Sequence, residues 1–195
     1  MALRYVALGD SYTIGTAIDN AGRWPNQLAA RLPALELVAN LGVNGFTSRD
    51  VIERELPQVG RLRPEVVSLL IGVNDVVQRV PEATYRANVA VILDAMVGHV
   101  GAARAFVITT PDYTVTPSGA AFGDPAQQSA GIQANNGIIT EAATARGIVI
   151  IDIFDLSLRA ATDRSLVADD GLHPSAAQYK TWVDRIEPAV QALLG

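Results

Sequence analysis

The side chains best suited to chemistry in this sequence are a serine, a histidine and an aspartate that together can act on an acyl group. Ser11 lies in the segment GDSYTIG, and Asp170 precedes His173 by three residues in the segment DDGLHPS. Nucleophilic acyl transfer needs a hydroxyl, a base that takes its proton and an acid that orients the base. Because one short loop can present both Asp170 and His173 to the same point, we interpret Ser11 as the nucleophile, His173 as the base and Asp170 as the orienting acid.

The same chemistry needs hydrogen-bond donors for the negatively charged oxygen that forms during attack. Gly45, in the segment NLGVNGFTS, offers a backbone N–H with no side chain in the way. Asn74, in the segment GVND, offers its side-chain amide, and the backbone N–H of Ser11 is a third donor. We therefore expect an oxyanion hole formed by Ser11, Gly45 and Asn74.

Each of these residues also has a structural explanation. A serine at a strand-to-helix turn is commonly a helix cap, as Ser11 would be. Asn74 is typical of a turn, the glycines around Gly45 are typical of a tight loop, and Asp169 or Asp170 would favour a helix dipole. Asp169 is also an alternative partner for His173, although the three-residue spacing favours Asp170. The occurrence of all four roles in one chain favours catalysis.

The elements that must position these residues are strands alternating with helices. Between five short apolar runs lie stretches of helical period, which predicts a parallel sheet with helices on both faces. The carboxyl ends of such strands meet at one edge and hold the ligand site, and each chemical segment follows a strand. The predicted strands are Leu3–Leu8, Leu35–Ala39, Val66–Ile71, Ala105–Thr109 and Ile148–Ile151.

Several residues mark where the helices begin and end. Thr47 is a candidate cap for the helix after the second strand. Gly147 is placed as the left-handed cap of a helix that begins near Gln127. The last helix is predicted to start after Pro174, with a kink or a break at Pro188, which lacks a backbone N–H.

Length, composition and charge set the class of protein. The chain has 195 residues, which fits one domain over residues 1–195. Hydrophobic residues make up 49% and charged residues 18%, and this composition favours a sizeable core. The formal charge of −5 and the lack of an arginine cluster argue against a nucleic-acid partner. No apolar run is as long as a membrane span, and the N-terminus does not resemble a signal peptide, so we expect a cytoplasmic protein.

Other chemistries on the same sheet fit less well. The absence of cysteine excludes disulfides and cysteine nucleophiles, and only two histidines are available for a metallophosphatase site. A flavin- or phosphate-binding loop around Ser11 would lack a basic partner and would leave Asn74 and His173 unexplained. A phospho-receiver is disfavoured because no lysine stands at the end of the fifth strand. The chain also lacks the Gly-x-Ser-x-Gly elbow of a conventional α/β-hydrolase. We expect no cofactor and no metal ion.

Taken in order, the segments GDSY, NLGVNGFTS, GVND and DGLHP resemble the motifs of the SGNH (GDSL) hydrolase family along nearly the whole chain. The resemblance implies a flavodoxin-like three-layer α/β/α sandwich with a five-stranded parallel sheet. It implies an esterase, lipase, thioesterase or sugar deacetylase acting on a small-molecule ester or acyl substrate. It also implies the same roles for the same five residues: Ser11, Gly45, Asn74, Asp170 and His173.

The remaining aromatic and histidine side chains are interpreted by position. Tyr12 stands where the short family motif has leucine, which bears on packing or substrate fit. Tyr113 and Phe122 lie in the long segment after the fourth strand and either line the acyl or alcohol pocket or pack within a surface loop. His99 lies at a helix end, where an imidazole favours the helix dipole, and is interpreted as structural. The two tryptophans, Trp24 and Trp182, are expected in the core.

Overall fold

The computed structural model describes residues 1–195 and is built on one five-stranded parallel sheet with strand order β2-β1-β3-β4-β5. Every strand pair is parallel, as predicted. All five predicted strands are present, and each predicted boundary lies within one residue of the observed one. The strands are β1 (Leu3–Gly9), β2 (Leu35–Asn40), β3 (Val66–Leu70), β4 (Ala105–Ile108) and β5 (Val149–Ile151).

Helices connect the strands and cover both faces of the sheet. They are α1 (Ser11–Ile14), α2 (Trp24–Arg31), α3 (Ser48–Asp50), α4 (Leu56–Leu62), α5 (Val73–Val77), α6 (Glu82–Val100), α7 (Pro125–Thr144), α8 (Phe154–Ser157) and α9 (Ala176–Leu194). A π-helical turn, Val51–Glu55, joins α3 to α4. Short 3-10 turns occupy Asn20–Gly22, Ala102–Arg104, Tyr113–Val115, Gly119–Phe122, Leu158–Ala161 and Arg164–Leu166.

The two faces of the sheet carry separate hydrophobic cores. Along β1, Tyr5 and Ala7 belong to the core that contains α2 and α9, whereas Val6 and Leu8 belong to the core that contains α4 and α6. This alternation follows from the period of two in a strand. The molecule is therefore the three-layer α/β/α sandwich that the sequence predicts.

The C-terminal helix α9 continues without interruption through Pro188, so the expected break does not occur. A proline inside a helix removes a hydrogen bond and costs about 3 kcal/mol. Here Trp182 and Ile186 are buried before the proline and Val190 is buried after it, so packing on both sides holds the helix together. Trp182 and Trp24 are fully buried, as predicted.

One of the two local helix signals acts as the sequence indicates. Thr47 and Asp50 form a capping box at the start of α3, in which the Thr47 N–H donates to Asp50 Oδ2 at 3.0 Å. Gly147 has the predicted left-handed backbone, with φ of 69°, but the residue that caps α7 is Ala145, which is right-handed. His99 lies exposed in the last turn of α6. None of the helices has the length and apolar character needed to cross a membrane.

Candidate active site

The turn that carries Ser11 is fixed by its two preceding residues. β1 ends at Gly9, whose φ is 147°, and a Cβ atom there would lie 2.2 Å from the Leu70 carbonyl oxygen. Only glycine fits this combination of backbone angle and close approach. Asp10 then caps α1, because its Oδ1 accepts a hydrogen bond from the Tyr12 N–H at 2.9 Å. Ser11 is therefore the first residue of α1, at the carboxyl end of a central strand.

The loop after β2 lies directly against this turn. Asn40 donates from Nδ2 to the Thr13 carbonyl at 2.7 Å, and its Oδ1 accepts from the Gly42 N–H at 3.2 Å. A Cβ atom on Gly42 would lie 2.7 Å from the Asp10 carbonyl oxygen, so the close approach requires glycine. Gly45 follows with a left-handed φ of 81°, and its N–H makes no hydrogen bond within the protein.

Asn74 reaches the same place from the turn after β3. Its Nδ2 donates to the Phe46 carbonyl at 2.9 Å, which fixes the amide and leaves its second hydrogen available. Gln78 donates to the Gly45 carbonyl at 3.0 Å and holds that peptide from the other side. Two separate strand ends are thus joined next to Ser11.

Asp170 and His173 form a hydrogen-bonded pair in the loop before α9. His173 Nδ1 lies 2.6 Å from Asp170 Oδ2, and Asp170 Oδ1 accepts from the backbone N–H groups of Leu172 and His173, both at 2.9 Å. Partial burial opposes ionisation of Asp170, but these hydrogen bonds outweigh it and hold the pKa of that carboxyl below its usual value. Asp169 makes no such hydrogen bond, so Asp170 is the carboxylate that meets the imidazole.

Tyr12 packs against this pair. Its ring centroid lies 5.5 Å from that of His173, and the two planes are inclined by 52°. The Tyr179 hydroxyl, from α9, donates to the Tyr12 carbonyl at 2.9 Å. The residue that departs from the short family motif therefore supplies an aromatic surface beside the imidazole, and its position next to Ser11 was the only sign of this in the sequence.

The long segment between β4 and α7 is hydrogen-bonded both to α7 and to the loop before α9. The Tyr113 hydroxyl donates to Gln128 Oε1 of α7 at 2.8 Å. Ser118 donates from its backbone N–H to the Gly171 carbonyl at 3.0 Å and from its hydroxyl to the Asp170 carbonyl at 3.3 Å. The segment therefore connects α7 with the loop that carries Asp170 and His173.

The turns and loops that carry Ser11, Gly45, Asn74 and His173 meet at one open cavity of about 210 Å³. Tyr113 and Phe122 both line it and pack edge to face, with ring centroids 5.6 Å apart. The polar lining residues are Ser11, Asn44, Gly45, Asn74 and His173, and the apolar ones are Tyr12, Val73, Val77, Tyr113, Phe122 and Leu172. Of the predicted site residues, only Asp170 does not line the cavity, and it lies behind His173.

Sequence reasoning missed four lining residues. Three of them immediately precede a predicted site residue: Asn44 before Gly45, Val73 before Asn74 and Leu172 before His173. A search of the neighbours of each candidate would have found these three. Val77 has no such signal, because it reaches the cavity only through the course of α5.

Asp10 and Asp75, which follow the ends of β1 and β3, do not line the cavity. Asp10 caps α1, and Asp75 accepts from the Ser48 N–H at 2.9 Å and from the Ser48 hydroxyl at 2.5 Å. No group of three or more His, Asp or Glu side chains is arranged to hold a metal ion. Both carboxyl groups are therefore engaged in fixing the loops of the site.

Two acidic side chains are buried beneath the Ser11 turn. Asp10 is 0% and Glu55 is 1% exposed, and Glu55 Oε2 accepts from the Gly9 N–H at 3.0 Å. Asp10 Oδ2 and Glu55 Oε1 have no hydrogen-bond partner. Burial, with repulsion from Asp75, raises the pKa of Asp10 to about 8, and burial, with repulsion from Asp10, raises the pKa of Glu55 to about 9. The pair therefore retains protons at neutral pH.

This proton retention predicts a falling stability with pH. The unfolded chain loses these protons near the ordinary pKa values of 3.8 and 4.5, whereas the folded chain loses them near 8 and 9. The free energy of unfolding is therefore expected to decrease as pH rises from about 4 to about 9, and Glu55→Gln is expected to flatten that decrease. Urea denaturation at about pH 5, 7 and 9 measures this. Glu53→Gln, an exposed neighbour, should keep the wild-type slope, and an equal slope in Glu55→Gln would contradict the prediction.

Solved structures resemble this fold at low sequence identity. The lipase/acylhydrolase from Enterococcus faecalis is 21% identical, with a TM-score of 0.76 over 98% of this chain and 96% of that one. A member of the lipolytic protein G-D-S-L family from Veillonella parvula is 15% identical, with a TM-score of 0.78 over 97% and 99%. An acetyl xylan esterase from Geobacillus stearothermophilus is 20% identical, with a TM-score of 0.71 over 99% and 94%. These likenesses support the fold.

Sequence comparison identifies the family to which the chain belongs. No curated protein matches the chain. The profile of the GDSL-like lipase/acylhydrolase family matches residues 7–181, which include every segment described above. The chain therefore belongs to the GDSL-like lipase/acylhydrolase family and is an ester hydrolase of the GDSL type.

Proposed function

We propose that this protein hydrolyses carboxylic esters or thioesters through an acyl-enzyme on Ser11. The observation that carries the proposal is the 2.6 Å hydrogen bond between Asp170 and His173, beside a cavity that both His173 and Ser11 line. A hydroxyl next to an imidazole that is oriented by a carboxylate is the arrangement that activates serine as a nucleophile.

The reaction proceeds in two steps. His173 takes the proton of Ser11 as the oxygen attacks the substrate carbonyl, and it then protonates the leaving alcohol or thiol. Water repeats the attack on the acyl-enzyme with His173 again as the base. The negative charge of Asp170 stabilises the imidazolium that forms each time, and its bond to Nδ1 keeps Nε2 free to accept the proton.

The oxyanion is proposed to bind three donors. The N–H groups of Ser11 and Gly45 have no partner within the protein, and Asn74 has one amide hydrogen free. Their fixed positions matter because preorganised donors stabilise the developing charge without having to reorganise.

Substrate class follows from the cavity lining. No Asp, Glu, Lys or Arg side chain lines it, so the bound acyl group is uncharged and apolar. At about 210 Å³ the cavity is smaller than the roughly 300–1,000 Å³ of pockets that enclose a drug-sized ligand. We infer a short acyl chain.

The test is hydrolysis of p-nitrophenyl esters from acetate to decanoate by the purified protein. The expected result is turnover with a maximum of kcat/KM among the shorter chains. Absence of turnover on every ester and on the matching thioesters would contradict the proposed function.

Phe122→Ala is expected to move the preferred acyl chain to greater length. Phe122 is 41% exposed at the mouth of the cavity, so its removal opens this wall. For the ester that the wild type prefers, kcat/KM is expected to fall about tenfold, since lost apolar contact in a pocket has effects of this order. Leu158→Ala is the matched control, because Leu158 is 40% exposed and outside the cavity. If Phe122→Ala prefers the same acyl-chain lengths as the wild type, Phe122 does not contact the acyl chain.

Asn74→Ala is expected to lower kcat on the order of a hundredfold to a thousandfold with little change in KM. The variant removes a donor that acts on the transition state. Steady-state kinetics on the preferred ester measures this. Asn44→Ala is the control, because that amide lines the same cavity but is not one of the three proposed oxyanion donors. An unchanged kcat in Asn74→Ala would show that the oxyanion assignment is wrong.

A further inference from the structure

Glu55 is a buried acidic residue that the acyl-transfer mechanism does not use. It ends the π-helical turn, in which the Leu56 N–H donates to the Val51 carbonyl five residues earlier. Single π-helical turns within helices occur frequently at functional sites. Its neighbours Glu53 and Arg54 are exposed, whereas Glu55 is directed inward beneath β1.

The contact that Glu55 makes lies two residues from the nucleophile. Its Oε2 accepts from the Gly9 N–H at 3.0 Å, at the point where β1 ends and the Ser11 turn begins. The backbone of Gly9 is confined by the Leu70 carbonyl and the Thr13 side chain, which would lie 2.2 Å and 2.4 Å from a Cβ atom. Glu55 thus holds a residue that has little room to move.

The surroundings of Glu55 are acidic. Beyond the effect of burial, charge repulsion from Asp10 and Asp50 raises the pKa of Glu55, and repulsion from Asp75 does the same at Asp10. No basic side chain forms an ion pair with Glu55, and its Oε1 has no partner. A negative charge here would also oppose the oxyanion proposed to form at Ser11, so the uncharged form suits the reaction.

We propose that Glu55 is a positioning residue, which in its uncharged form fixes Gly9 and thereby the turn that carries Ser11. This rests on the proposed role of Ser11. Gln is the neutral isostere of a protonated Glu and keeps the acceptor for the Gly9 N–H, whereas Met has similar length and no acceptor.

The test compares Glu55→Gln with Glu55→Met. In Glu55→Gln, kcat at about pH 7 is expected to stay within about threefold of wild type. In Glu55→Met, kcat is expected to fall about ten- to a hundredfold with little change in KM, because small displacements of a reacting group have effects of this size. The rate of covalent labelling of Ser11 by diethyl p-nitrophenyl phosphate should fall in parallel, since it reports the nucleophile directly.

Two controls separate positioning from general destabilisation. Val59→Ala removes buried side-chain volume from α4 and is expected to lower stability without lowering kcat. Glu53→Gln makes the same chemical change as Glu55→Gln on the exposed side of the turn. If kcat in Glu55→Met matches that in Val59→Ala, or if Glu55→Gln loses as much as Glu55→Met, the proposal is overturned.

The pH profile and Ser11→Ala complete the experiment. As pH rises from about 7 to about 10, kcat of wild type relative to Glu55→Gln is expected to fall, because only the wild type ionises at this position. If the ratio of the two kcat values does not change with pH, the proposal that Glu55 acts in its uncharged form is wrong. Activity that survives in Ser11→Ala overturns the proposed function together with this inference, whereas an inactive Ser11→Ala beside a fully active Glu55→Met overturns the inference alone.

Discussion

Ser11→Ala is expected to lower kcat for ester hydrolysis on the order of a millionfold, to the assay background. Without the hydroxyl no acyl-enzyme forms, and only the oxyanion donors and substrate binding remain to assist water. The fold should survive, because the Ser11 side chain makes no hydrogen bond within the protein and α1 is capped by Asp10. Steady-state kinetics on the preferred p-nitrophenyl ester, with circular dichroism for folding, measures both.

The serine that reacts can be identified independently. Diethyl p-nitrophenyl phosphate should label wild type on the peptide that contains Ser11 and should leave Ser11→Ala unlabelled. Ser165→Ala, which removes an exposed hydroxyl outside the cavity, should keep full activity and full labelling. Equal activity in Ser11→Ala and wild type would show that another group is the nucleophile.

Asp170→Asn is expected to lower kcat on the order of ten-thousandfold. Asp170 Oδ1 accepts two backbone N–H groups, so an asparagine side chain keeps its oxygen there and directs its NH₂ to His173 Nδ1. An imidazole that accepts at Nδ1 carries its proton on Nε2, which is the wrong tautomer for a base. The hydrogen bonds that define the loop remain in this variant. The decrease in kcat therefore measures the effect of the wrong tautomer and of the missing negative charge.

Asp169→Asn is a matched control for this variant. The two aspartates are adjacent, and Asp169 makes no side-chain hydrogen bond, so its replacement should change kcat by less than about threefold. If Asp169→Asn lowers kcat as much as Asp170→Asn, the assignment of the orienting acid is wrong. Kinetics of both variants on one ester decides between them.

The fold could be predicted because its signals are local. Apolar runs of strand length alternate with helical periods, and this pattern defines both the strands and their parallel arrangement. The continuity of α9 through Pro188 could not be predicted, because it depends on side chains such as Trp182 and Val190 that are buried by distant parts of the chain. Packing there outweighs a local preference.

The core of the site could be predicted because its residues follow strand ends. Ser11, Gly45 and Asn74 approach one another for that reason alone. Glu55 was not predicted, because a glutamate in a charged stretch is typical of an exposed helix face, although its spacing of four residues from Val51 and from Val59 places all three on one buried face. The role of Ser118 was equally hidden, because it depends on the course of the long segment after β4.

The connection that Ser118 makes has a consequence for substrate entry. One wall of the cavity belongs to the same segment that holds the carbonyl groups of Asp170 and Gly171. A substrate that displaced this wall on entry would also displace the loop that aligns His173, because the two are joined by hydrogen bonds. The cavity is therefore suited to small substrates that enter without moving the wall.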